Sequence, residues 1–200
     1  MLNIKKLTRG FTMIELLIVI AVLGILAVAV LSAINPIEQI NRGRDTSSKS
    51  DAEQLLSAID RYNAMRELWP WQNVSSDEDS LSWTQVTATT PAGTGGNGCS
   101  MLDNLAADPN NSNCPGTDEI KAAFVNRVTS PTYNALYISY GGGAGDSVYV
   151  CYSPQSGSFT SDAQKRCSEE LGTLPTEACD GTCADLTGAS GDSDWCVCLP

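Results

Sequence analysis

Residues 11–35, FTMIELLIVIAVLGILAVAVLSAIN, form an apolar run broken by one carboxylate, Glu15, close to its start. The roughly 19 residues from Leu16 to Ile34, at 1.5 Å per helical residue, approach the ~30 Å hydrocarbon core of a bilayer. A basic leader, MLNIKKLTRG, runs straight into this segment. An acid at Glu15's depth in hydrocarbon costs at least ~2.5 kcal/mol. No basic residue on the same segment lies within reach to offset it.

GFTMIELLIVIAVLGILA resembles the class III signal of type IV prepilins and of the pseudopilins of type II secretion. Gly10 stands before the cut, Phe11 becomes the first residue, Glu15 the fifth, and Gly24 lies within the apolar helix. The resemblance is specific over residues 5–31, extends to about Arg66 if a long helix is included, and says little about residues 67–200. It implies that a prepilin peptidase cuts after Gly10 and that the amine of Phe11 is methylated. It also implies that Glu15 pairs with the Phe11 amine of a neighbouring copy, which supplies the missing counter-charge. The implied partners are other subunits of the filament, the peptidase, an inner-membrane assembly platform, and lipid before assembly.

Two simpler readings compete. A conventional secretory signal needs a small-x-small site after the apolar region, and Ala27, Ala29, Ser32 and Ala33 supply candidates. It leaves Glu15 and the Gly10–Phe11 junction unexplained. A plain single-span anchor fits the length but leaves the same two features idle. Lys5, Lys6 and Arg9 precede the span, so the leader is expected to be cytoplasmic and everything after Pro36 outside. That places the subunit in the inner membrane first and in a periplasmic or extracellular filament after assembly.

Net charge is −11, and removal of the leader's three cations leaves about −14. A surface that acidic repels phosphate backbones, so no nucleic-acid partner is expected. Cys99, Cys114, Cys151, Cys167, Cys179, Cys183, Cys196 and Cys198 all follow the apolar segment. An even number on the oxidising side of a membrane points to disulfides, with pairing open among 105 connectivities. Zinc is the competing reading, weakened by the absence of histidine and of paired CxxC spacing.

Beyond Pro36 the pattern turns amphipathic. Ile37, Ile40, Ala52, Leu55, Leu56, Ile59 and Tyr62 are expected on one buried helical face. Arg42, Arg44, Asp45, Lys49, Asp51, Glu53, Asp60 and Arg61 are expected on the solvated one. One long helix over about Thr12 to Arg66, bent near Pro36, follows from this pattern, and Trp69-Pro70-Trp71 ends it. Further on, a short strand is expected over Trp83–Thr87 and a helix capped by Thr117 that buries Ile120, Phe124 and Val128. Leu136–Tyr140 and Ser147–Tyr152 read as a hairpin with Val148, Val150 and Tyr152 on one face and Tyr149 and Cys151 on the other. Ser161–Gln164 reads as a capping box opening a helix that ends at Gly172. Asp194–Leu199 reads as a strand with Cys196 and Cys198 on one face and Trp195, Val197 and Leu199 on the other.

The expected class is α+β. A long N-terminal helix, transmembrane in its first half and amphipathic in its second, packs on a small antiparallel-sheet, disulfide-rich domain, the lollipop that the resemblance implies. Its parts are a leader over 1–10, a transmembrane or filament-core helix over 11–35, an amphipathic continuation over 36–66, and an extracytoplasmic domain over 67–200. Familiar triads and zinc-hydrolase sites are excluded by the lack of histidine, and no enzyme activity is expected. No cofactor is expected either. Weak calcium candidates are Asp192 and Asp194, with Asp180 or Asp185, in a loop that resembles the calcium loop of major pseudopilins. A solvated turn is the stronger reading there, as it is for the Asp108–Asn113 run. The function expected is a structural subunit of a type IV pilus or secretion pseudopilus. The alternative is a membrane-anchored, surface-exposed, disulfide-rich binding module or minor tip adhesin; the hairpin tyrosines offer sugar-binding rings, but packing of the sheet is the stronger reading of them.

Overall fold

A computed structural model describes residues 10–72, 80–90, 99–106, 114, 116–143, 145–169, 174–179 and 195–200. The chain divides into two compact units, Met1–Gln39 and Ile40–Pro200.

Helix α1 spans Met13–Ala33, opened by a capping box between Thr12 and Glu15. Its large apolar side chains are exposed, from 48 % at Val19 to 91 % at Met13. This is the one described helix long and apolar enough to cross a membrane. The expected bend near Pro36 takes the form of a break. Ile34 is extended (φ −104°, ψ 130°), and helix α2, Pro36–Arg66, starts anew at the proline. Proline suits that first helical position because its missing N–H would have no partner there. Asn35 caps the new start: its Oδ1 accepts from the Glu38 N–H at 3.4 Å, and its carbonyl accepts from the Gln39 N–H at 3.3 Å.

The buried face of α2 differs from the expected one. Asp45, Ser48, Asp51, Ala52, Leu55, Ala58, Ile59 and Tyr62 are buried. Ile37 and Ile40, expected inside, are 67 % and 58 % exposed, and the two aspartates expected in solvent are inside. Position on the helix, not hydrophobicity, decides this. The aspartates recur at three-residue steps with Ser48 and meet specific donors, described below.

Four antiparallel strands form one sheet in the order β1 (Leu81–Gln85), β2 (Leu136–Tyr140), β3 (Tyr149–Tyr152), β4 (Val197–Leu199). Strand β1 lies two residues earlier than expected and carries an irregularity between Leu81 and Thr84. The hairpin register pairs Leu136 with Tyr152 and Ser139 with Tyr149. Its alternation is as expected: Val148, Val150 and Tyr152 enter the main core with Leu55, Ile59, Leu102 and Leu136. Tyr137, Cys151, Cys196 and Cys198 form a second, smaller core on the opposite face, joined by Tyr149 and Trp83. Val197 and Leu199 point back to the main core.

The remaining helices are short. Helix α3, Met101–Leu105, opens on a Ser100–Asp103 capping box that sequence reading passed over. Helix α4 is Ala122–Val128, capped by Lys121, not by Thr117. Phe124, Val128 and Ile120 are buried as expected. Thr117, Glu119 and Ile120 instead donate backbone N–H bonds to the carbonyls of Asn104 and Leu105, and Asp118 takes a left-handed φ of 60°. Helix α5, Gly157–Glu169, starts before Ser161, so the expected capping box lies inside it. The expected end at Gly172 lies outside the described residues.

Candidate functional site

The site residues expected from the sequence, Gly10, Phe11 and Glu15, gather at the start of α1. Gly10 and Phe11 precede the helix, and the Phe11 side chain is 84 % exposed. A helix N-terminus leaves its first N–H groups without intrahelical partners, and Thr12-Met-Ile-Glu15 answers that with a reciprocal pair. The Thr12 hydroxyl accepts from the Glu15 N–H at 3.3 Å. The Glu15 Oε2 accepts from the Thr12 N–H at 2.9 Å and from its hydroxyl at 2.7 Å. Negative charge in the first helical turn also faces the positive end of the helix dipole. Glu15 is therefore partly satisfied on its own segment, which sequence reading treated as bare. The S/T-x-x-E spacing was the available signal. Oε1 takes part in none of these bonds, so one carboxylate oxygen stays open to a second donor. Gly24, midway along α1, has nothing within 4 Å of where a Cβ would sit.

A second constellation lies on α2 within the Ile40–Pro200 unit. Asp45 is fully buried and accepts from the Gln155 N–H (2.8 Å), the Ser156 N–H (2.8 Å) and the Ser156 hydroxyl (2.5 Å). Asp51 takes the forked guanidinium of Arg127 through Nε (3.0 Å) and Nη2 (2.5 Å), and the Tyr133 hydroxyl (2.5 Å). Burial first, then the bond to Asp51, pushes the Tyr133 phenol far above its ordinary range. These bonds tie α2 to the segment before α5 and to α4. Their partners are complete, so they position structure; they offer no free nucleophile or base.

Three disulfides are placed: Cys99–Cys114, Cys151–Cys198 and Cys167–Cys179. Cys151 and Cys198 are direct cross-strand neighbours of β3 and β4. Cys196 is disulfide-bonded as well, and Cys183 lies outside the described residues. The calcium candidates Asp180, Asp185, Asp192 and Asp194 also lie outside them. Among the described residues no group of three acids, cysteines or histidines has metal-binding geometry.

Residues 5–31 match the prokaryotic N-terminal methylation motif. The chain is similar to the type IV major pilin protein PilE of Neisseria gonorrhoeae, 38 % identical over 78 residues, covering 39 % of this chain and 46 % of that protein. It is also similar to the fimbrial protein EcpC of Eikenella corrodens, 33 % identical over 73 residues, covering 36 % of this chain and 46 % of that one. The chain thus spans about half the length of these relatives. No solved structure matches it significantly. The chain thus carries the prokaryotic N-terminal methylation motif and is similar, over less than half of its length, to a type IV pilin and a fimbrial protein.

Proposed function

We propose that the chain is a structural subunit of a type IV pilus, inserted in the inner membrane through α1 and then polymerised through it. The leader is removed after Gly10 by prepilin peptidase, the new Phe11 amine is methylated, and residues beyond Pro36 lie outside the cytoplasm. Glu15 of an incoming subunit then pairs with the Phe11 amine of a subunit already at the filament base. In surroundings of low dielectric such a pair is strong, yet both ions pay for desolvation, so its main contribution is to fix register. Packing of apolar helices against one another replaces their contact with lipid. The two relatives, a pilin and a fimbrial protein, favour a pilus over a secretion pseudopilus.

One observation carries this reading: α1 leaves its apolar side chains uncovered along its whole length while holding one carboxylate with an unused oxygen. A plain anchor has no need of that acid. The test is Glu15→Gln, with the intact mass of the mature N-terminus and the filament yield measured together. The amide keeps an acceptor for Thr12 but loses the charge. Processing and membrane insertion are expected to persist while filament yield falls by about tenfold or more, the equivalent of at least ~1.4 kcal/mol per added subunit. Normal yield, or a mature chain starting elsewhere than Phe11, overturns the proposal.

A further inference from the structure

The outer face of the hairpin carries a cleft of about 430 Å³ that the filament reading does not use. That size falls within the range of small-molecule sites. Its floor is the cross-strand pair Ser139–Tyr149. The hairpin loop, with Asp146 and Ser147, forms one wall, and Leu174 and Pro175 form the other.

The loop is shaped around a carboxylate. The Gly143 N–H donates to Asp146 Oδ2 at 2.8 Å, and the Asp146 N–H donates to the Gly143 carbonyl at 3.0 Å. A Cβ at Gly141 or Gly143 would fall 2.5 Å or 2.6 Å from that same oxygen, so only glycine permits the approach. Asp146 is thereby held in place, exposed, with Oδ1 outside these bonds. The hydroxyls of Ser147 and Tyr149 make no hydrogen bond among the described residues, and that of Ser139 makes only a long one, 3.4 Å to the Leu81 carbonyl. The cleft thus presents one fixed acceptor, three hydroxyls that both donate and accept, one aromatic ring, and two apolar walls.

Chemistry narrows the ligand. Among the described residues no lysine or arginine lines the cleft, and the chain carries a net charge of −11, so anions are disfavoured. One carboxylate falls short of the six to eight oxygens that a calcium ion takes. A wholly apolar molecule would leave the Asp146 oxygen and the hydroxyls buried without partners. A pyranose ring matches each part: vicinal hydroxyls donate to a carboxylate, further hydroxyls exchange bonds with serines, and the C–H face packs on a tyrosine ring.

We propose that this cleft binds a neutral hexopyranose unit of a glycan, with Asp146 as the acceptor of its hydroxyls and Tyr149 as its platform. The inference does not depend on filament assembly. Saturation-transfer NMR on the full chain, held in a detergent without a sugar headgroup, tests it with lactose and maltose as probes. Transfer to the sugar ring protons is expected from the wild type. Asp146→Asn keeps an acceptor for Gly143 but loses the charge, and is expected to lower the affinity by about tenfold. Ser147→Ala, at an exposed position, is expected to lower it by about threefold, and a Ser168→Ala control on α5 not at all. Signal equal to that of protein-free micelles overturns the proposal, as does unchanged affinity in a folded Asp146→Asn protein. A lysine tripeptide that binds in an Asp146-dependent way, where the sugars do not, reassigns the cleft to cationic peptides and overturns it equally.

Discussion

On α1, Glu15 takes its hydrogen bonds from a residue three positions away. On α2, Asp45 and Asp51 take theirs from residues 76 to 111 positions away. The two arrangements answer the same cost, that of removing a carboxylate from water, by opposite means. A local capping box forms wherever the helix forms and needs no folded body around it. It leaves one oxygen unspent, the oxygen that the proposed pairing with a neighbouring amine would use. The long-range arrangement saturates both oxygens and exists only when α2, α4 and the segment before α5 are all in place. The first leaves room for a further donor; the second closes one fold.

The largest expected effect breaks the second arrangement. Asp45→Ala would strand two backbone N–H groups and the fully buried Ser156 hydroxyl, at a cost of about 3 kcal/mol. Asp51→Ala would remove the carboxylate that pairs with Arg127 and accepts from Tyr133. Breaking a buried pair costs ~3–5 kcal/mol, but the Arg127 side chain is 49 % exposed and regains water, so about 2 kcal/mol is expected. Thermal unfolding followed by near-ultraviolet circular dichroism measures both. Equal losses, or a larger loss at Asp51, would show that exposure of the partner does not set the scale.

A smaller effect breaks the first arrangement. Thr12→Val removes the hydroxyl that both caps α1 and donates to Glu15, while its backbone N–H still reaches the carboxylate. Loss of a cap costs about 1 kcal/mol. Amide exchange at Glu15 in detergent micelles is expected to speed up by about fivefold, with the stability of the Ile40–Pro200 unit unchanged. A shift in the thermal unfolding of that unit would contradict the local character assigned to the capping box.

The same contrast explains what the sequence disclosed. Strand alternation is a property of successive residues, so the two faces of the hairpin and of β4 were legible from Val148 to Tyr152 and from Cys196 to Leu199. The methylation motif over residues 5–31 was legible because spacing along the chain is itself the signal. The burial of Asp45 and Asp51 was not, since nothing near them in sequence names Ser156 or Arg127 as partners. The false start of α4 has the same origin. Thr117-Asp-Glu spells a helix cap, but backbone bonds to Asn104 and Leu105 hold that segment out of the helix, with Asp118 in a left-handed conformation. At α5, Asp45 engages the N–H groups of Gln155 and Ser156, and the helix begins beside them ahead of the capping sequence at Ser161. The Asp146 cleft was equally hidden, because its floor and its second wall come from residues separated in sequence.

Two tyrosines beside the α2 carboxylates have phenols that are both pushed far above the ordinary value. Burial is the first cause in each. At Tyr133 the bond to Asp51 adds to it, and at Tyr152 the charges of Asp45 and Glu53 do. Folding holds both phenols neutral, so their contribution to stability is complete below about pH 10, the unfolded value, and is lost as pH climbs from there toward the folded one. Tyrosinate absorbance should therefore show two of the chain's six tyrosines ionising only with alkaline unfolding. Ionisation of all six on the denatured protein's curve would refute this. Substitution separates the pair by sign. Tyr133→Phe loses a bond to a charged acceptor and should destabilise by about 1.5 kcal/mol. The buried Tyr152 hydroxyl has no hydrogen-bond partner among the described residues, so Tyr152→Phe removes an unmet cost and should stabilise by about 0.5–1 kcal/mol. A loss at both positions would mean that Tyr152 draws on Asp45 by more than proximity. The saturated carboxylate of α2 would then have a further donor to share, and its contrast with Glu15 would widen.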